Sequence, residues 1–267
     1  FLASADDAGA VRLWNVGEGG GGSLLGRHAG NVRGLAFAQG EDGPVLVSAG
    51  YDGQVRLWDY RNPETAPTIL RGHDGAVTLL AAPPANGSLT GPSDLLITGG
   101  YDQALRVWRL TNPFAEPDRV LPAGRPVADV LVTPDGRRLL ASGVDDAAVQ
   151  VRDLASGDLA LELAQGGAPV SAIALSCGGR RLWTGREDGT VTAWDVDTGA
   201  QLQQFDAGAG AVHVLAENAA GDLLAVGGEN GKVQVWQPAE GILLHTLGGH
   251  AAAITGLGFA ADGGTLY

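Results

Sequence analysis

The sequence predicts an all-β fold made of repeated, four-stranded antiparallel units. Three observations carry that prediction. Short runs rich in Val, Leu and Ile alternate with clusters of Gly, Asp and Pro, the pattern of successive antiparallel strands joined by tight turns. A landmark residue, Trp in all but one case, stands at 14, 58, 108, 152, 194 and 236, at intervals of 44, 50, 44, 42 and 42. A phase held over that many intervals marks internal repetition. Within the repeats, a set of His, hydroxyl, Asp and Trp returns at fixed places.

The fullest copy is the stretch 71–109. It holds Gly72-His73, Thr98, Asp102 and Trp108. Strands are predicted over 76–82, 95–98 and 104–108, with the turn Gly-Tyr-Asp-Gln at 100–103 joining the last two. A loop His, a strand hydroxyl, a turn Asp and an indole N–H can form one chained relay of hydrogen bonds. Such a relay satisfies polar groups that would cost about 1–3 kcal/mol each if buried alone.

Taken in order, strands at 1–5 and 10–16 open the chain, with Ser4 and Trp14 as the first landmarks. Gly17 to Gly22 reads as a linker before an outer strand at 23–26. The next unit has strands at 31–38, 45–48 and 54–59 and fills all four relay positions, with His28, Ser48, Asp52 and Trp58. The third unit, already described, carries an insertion from Pro83 to Pro92. The fourth has strands at 127–132, 138–142 and 147–153. It keeps Ser142 and Asp146 but puts Arg152 at the Trp position and has no His. The fifth, with strands at 170–175, 181–184 and 190–195, keeps Thr184, Asp188 and Trp194, again without His. The sixth, with strands at 211–216, 222–227 and 232–236, has Asn230 in the turn and Val226 at the hydroxyl position. The tail adds an outer strand at 243–247, Gly249-His250, an inner strand at 254–259 and the start of another at Thr265.

Gly-His followed about 35 residues later by a Trp-Asp-type dipeptide resembles the WD-repeat β-propeller family, whose repeats run about 40–45 residues per four-stranded blade. The resemblance covers essentially the whole chain and implies a single β-propeller over 1–267, with six blades in this segment and both ends inside a blade. Residues 262–266 align with 135–139, so head and tail meet at the same strand, and His250 would serve Ser4 and Trp14. Two arrangements fit: a closed six-bladed ring that pairs its own sheet edges, or a slice of a longer array, seven blades being usual in the family.

Composition narrows the function. A formal charge of −13, with Lys232 the only lysine, argues against nucleic acid, whose non-specific binding relies on Lys and Arg neutralising phosphates. No run reaches the roughly 18–20 apolar residues of a membrane helix. Cys177 is the single cysteine, which rules out an internal disulfide and fits a reducing, cytoplasmic setting. No GxxxxGK[ST] loop occurs, and Asp6-Asp7 and Asp145-Asp146 read as turn formers rather than calcium ligands. Cys177 reads as an ordinary loop thiol, and Arg137-Arg138 and Arg180-Arg181 as a solvated rim. His213 and His245 lie in strands as surface or packing residues. The Ser-His-Asp sets recur once per repeat and so read as architecture, not an active site. No catalytic residue, metal or cofactor is expected.

The family resemblance also implies contact sites at the positions just before the turn Asp. Here these are Tyr51, Tyr101, Asp145, Glu187 and Glu229, flanked by Arg186. Two tyrosines and three carboxylates would form an aromatic, acidic rim suited to a basic peptide or protein. The expected function is a non-catalytic protein-interaction scaffold. The alternative is a sensor or regulatory module of a larger signalling protein whose kinase, NTPase or protease domain lies outside this segment.

Overall fold

The computed structural model describes residues 1–17, 21–82, 94–111, 116–163, 166–260 and 262–267. The core of the Gly-rich linker and the insertion predicted at 83–92 lie outside the described residues. Among those described, no residue is helical, and no helix is long and apolar enough to cross a membrane.

The strands assort into six antiparallel sheets. The first has three strands, β1 (Leu2–Ala5), β2 (Ala10–Trp14) and β3 (Ser23–Arg27). The second runs β4 (Val32–Gly40), β5 (Gly43–Gly50), β6 (Val55–Trp58) and β7 (Thr68–Leu70). The third runs β8 (Val77–Ala81), β9 (Leu95–Gly100), β10 (Ala104–Arg109) and β11 (Arg119–Pro122). The fourth has β12 (Val127–Val132), β13 (Arg138–Gly143), β14 (Val149–Asp153) and β15 (Leu159–Leu163). The fifth has β16 (Val170–Leu175), β17 (Arg181–Arg186), β18 (Thr190–Asp195) and β19 (Gln201–Asp206). The sixth has β20 (Val212–Glu217), β21 (Leu224–Gly228), β22 (Val233–Gln237) and β23 (Ile242–Leu247). Each sheet is a meander in chain order, as the short connections demand. These are blade-like sheets, and the fold is all-β.

The chain divides into two compact units, Phe1–Val132 and Thr133–Tyr267. In the first unit, Val11, Val32, Leu46 and Trp58 close one core between the first two sheets. Val47, Val55, Val77, Leu96 and Trp108 close another between the second and third. The strands β9 (Leu95–Gly100) and β21 (Leu224–Gly228) are buried at every residue, and so on both faces. In the second unit, Trp183, Val191, Val212, Leu224, Val226 and Trp236 share one cluster. Phe205 stacks on Trp236 with centroids 4.3 Å apart.

One predicted element differs. Residues 254–259 do not form a ladder strand; pairing there is limited to a bridge from Phe259 to Leu266. A strand is stabilised by a neighbour along its length, and only Thr265–Tyr267 folds back, through Tyr267 N to Gly258 O at 3.0 Å and Ala260 N to Thr265 O at 2.8 Å. Ile254 is nevertheless buried against Ala225 and Val233.

Candidate functional site

The relay is built twice in the first unit. In the third sheet, the Trp108 indole N–H donates to Thr98 Oγ1 at 2.8 Å, and His73 Nε2 lies 2.7 Å from the same oxygen. His73 Nδ1 faces Asp102 at 2.9 Å. One proton per link fixes the tautomer. Thr98 O–H donates to Nε2, so Nδ1 carries the proton and donates to the carboxylate. The second sheet repeats this with Trp58 to Ser48 at 2.8 Å, His28 Nε2 to Ser48 at 2.7 Å and His28 Nδ1 to Asp52 at 2.8 Å. Asp52 also accepts the backbone N–H groups of Ala29 and Gln54, tying the loop to the hairpin. Gly72, with φ 153°, sits against Arg106 and Trp108, where a Cβ would crowd the guanidinium; the second repeat has Arg27 at this place.

Electrostatics follow from this burial. The His28 and His73 side chains are 0% and 1% exposed, and desolvation holds both pKa values below 6.5 despite their Asp partners. Burial pushes the Asp52 and Asp102 carboxyls up, but hydrogen bonds and the charges beside them prevail and hold both below 3.8.

The relay has a fifth member that the sequence reading missed. Arg106, two residues before Trp108, reaches Asp102 Oδ2 at 2.6 Å and donates to the Gly72 carbonyl. Arg56 does the same in the second sheet, to Asp52 at 3.3 Å and to the Arg27 carbonyl. Both arginines pair directly across from the relay hydroxyl, Arg106 with Thr98 and Arg56 with Ser48. The signal was present as Arg-x-Trp in the two complete repeats, though Arg12 precedes Trp14 in the same way in the first sheet; Gln150, Thr192 and Gln234 stand at that place in the fourth to sixth.

Elsewhere the set is thinner. Trp14 donates to Ser4 at 2.8 Å in the first sheet. His250, its expected third member, is an exposed residue of the second unit. Trp194 donates to Thr184 at 3.0 Å in the fifth sheet, but Asp188 is exposed and caps its own turn through Thr190 N. Asp146 likewise accepts from Ala148 N at 3.2 Å. Ser142 is out of register. Arg152 pairs with Leu139 and Gln150 with Ala141, so Ala141 takes the hydroxyl position. The cause is a longer hairpin: Ser142 pairs with Val149, leaving 143–148 between them, one residue more than between Gly185 and Val191. A one-residue slip turns a strand side chain to the other face. Arg152 bonds to Gln150 and to the Gly157 carbonyl in place of an indole. In the sixth sheet, Trp236 donates to Gln234 at 3.2 Å where Val226 offers no hydroxyl.

Of the predicted contact residues, Tyr51 and Tyr101 come together, edge to face with centroids 6.3 Å apart, and both are exposed. The Arg33 guanidinium lies 5.7 Å over the Tyr51 ring. Asp145, Glu187 and Glu229 are exposed turn residues of the second unit, Asp145 with φ 53°. Arg186 departs from expectation: it is buried and donates to the Ala168 carbonyl, so it serves the fold rather than a partner. His213 and His245 are exposed strand residues. No group of three or more His, Cys, Asp or Glu side chains is placed to hold a metal among the described residues.

The family described as WD domain, G-beta repeat matches residues 22–59 and 65–109, the segments that span the two complete relays. No curated protein matches the chain.

Proposed function

The chain carries WD repeats across 22–59 and 65–109, and from that premise we propose a non-catalytic, cytoplasmic scaffold that engages a protein or peptide partner. The carrying observation is the exposed Tyr51–Tyr101 pair. Each tyrosine immediately precedes the Asp of a buried relay, so a rigid network fixes the turns that present them. Tyr supplies broad, amphipathic contact area at low entropic cost, the property that makes it frequent at binding hot spots. The burial of His28 and His73 supports the non-catalytic reading, because a general base must reach its substrate. Asp145, Glu187 and Glu229 add exposed carboxylates on the second unit, which favour basic segments of a partner. We further propose that the six sheets are blades of one propeller.

The test is selection of a displayed peptide library on the immobilised chain, repeated on the double variant Tyr51→Ala/Tyr101→Ala. Binders that depend on the pair, together with an unchanged denaturant midpoint, are expected. Binders indifferent to the double variant would place the binding face elsewhere.

A further inference from the structure

Beside the Tyr51–Tyr101 pair lies an irregularity that recurs in the inner strands. Arg33, Thr78, Ser171 and His213 are the extra residues of bulges in β4, β8, β16 and β20. A bulge takes its residue out of the ladder and re-aims the side chain. The four side chains differ in chemistry, so the bulge itself requires none of them. In the fifth sheet the fold uses the residue, with Ser171 Oγ donating to the Val212 carbonyl at 2.6 Å. Arg33 is different. It is exposed, and among the described residues it makes neither an ion pair nor a side-chain hydrogen bond.

What Arg33 has is an aromatic support. Its guanidinium carbon lies over the Tyr51 ring, 5.7 Å from the centroid. Tyr51 in turn meets Tyr101 with the ring planes 87° apart. Backbone bonds hold both rings in place. Tyr51 N donates to Asn31 O at 2.8 Å and Tyr101 N to Ala76 O at 3.0 Å, so each tyrosine turn is tied to the start of an inner strand. A guanidinium resting on a ring uses its flat face and leaves the N–H fork at its edge free. That fork matches an oxyanion, which offers two acceptor oxygens in one plane. The nearby carboxylates are engaged elsewhere: Asp52 with His28 and Arg56, Asp102 with His73 and Arg106. Asp74 adds an exposed carboxylate at the Tyr101 turn, where its N–H donates to Asp102 at 3.3 Å, and it forms no ion pair with Arg33.

Resting on the function proposed for this face, we propose that the Tyr51–Tyr101 site takes an acidic segment of the partner. The two rings cover the apolar part of that segment, and Arg33 pairs with an oxyanion on it. The oxyanion is a carboxylate of Asp or Glu, or the phosphate of a phosphorylated residue. The second unit, with its exposed carboxylates, favours the opposite charge.

The test starts from peptides selected on the immobilised full chain for dependence on the tyrosine pair. Such peptides should be enriched in Asp and Glu. The tightest is then prepared in three forms, with its acidic residue intact, changed to the amide, or replaced by phosphoserine. Each form is titrated against the wild-type chain and against Arg33→Gln, which should keep the wild-type denaturant midpoint because Arg33 is exposed and unbonded. Changing acid to amide should weaken binding about tenfold on the wild-type chain and no more than about twofold on Arg33→Gln, a difference that isolates the Arg33–acid pair. Tighter binding of the phosphoserine form assigns a phosphate; tighter binding of the intact form assigns a carboxylate. Pair-dependent peptides without acidic enrichment, or an equal loss on both chains, overturn the proposal and leave the tyrosine face standing. A selection that yields no pair-dependent peptide overturns the face itself, and the proposal with it.

Discussion

Hairpins β9–β10 and β13–β14 share a repeat pattern but hold themselves together differently. In the first, Trp108, Thr98, His73, Asp102 and Arg106 form one chain of hydrogen bonds in which nearly every buried polar atom has a partner; Arg106 Nε is the exception. In the second, an extra turn residue slides Ala141 under the hydroxyl position, and Arg152 folds onto Gln150 and Gly157 instead. One added residue in the turn puts the hydroxyl out of place, independently of the missing His and indole. Register decides which side chains can meet.

The largest expected difference lies at the landmark position itself. Trp108→Ala removes a side chain 1% exposed and the donor to Thr98, and should cost about 3–5 kcal/mol in a denaturant melt. Arg152→Ala at the equivalent place removes hydrogen bonds but no large packed ring, and should cost about 1–2 kcal/mol. Equal losses would abolish the distinction between the two hairpins.

Next comes the arginine. Arg106→Gln substitutes the residue that Gln150 and Gln234 supply at the same place, so the strand should accept it. It deletes the ion pair to Asp102 and the bond to the Gly72 carbonyl, with an expected cost of about 2 kcal/mol. A cost near zero would make Arg106 a bystander and leave the relay with four members.

The sequence disclosed most of this where chemistry repeats and little where geometry intervenes. Trp spacing and the His, hydroxyl and Asp landmarks were legible because each residue type suits one link of the relay. Arg56 and Arg106 escaped because an arginine on a strand ordinarily reads as solvated, and only the fold brings it back over the turn Asp. Ser142 was misplaced because counting ten residues back from Arg152 assumes a constant turn length. Arg186 looked like a rim residue until its side chain turned inward to Ala168. Arg33 gave no motif at all. Its place in a bulge emerges only from the strand register.

Acidification gives the smallest and most selective comparison. Burial holds His28 and His73 below 6.5, so the unfolded chain takes up a proton first as pH falls. Their contribution to stability is present above 6.5 and is lost below it. Asp52 and Asp102, held below 3.8, act in the same direction but further down, losing their contribution only as pH falls through those depressed values. The fifth sheet links Thr184 to Trp194 without a histidine and should not respond in the upper window. Glu217, in the neighbouring sheet and paired with Arg181 of β17, has the opposite sign: burial raises its carboxyl above 4.5, so acid relieves an unfavourable charge there. Hydrogen exchange, corrected for intrinsic rates, should therefore show β5–β6 and β9–β10 losing protection between pH about 7.5 and about 5. Hairpin β17–β18 should hold or gain over the same interval. Equal loss in all three hairpins would mean that the buried imidazoles do not set the acid response.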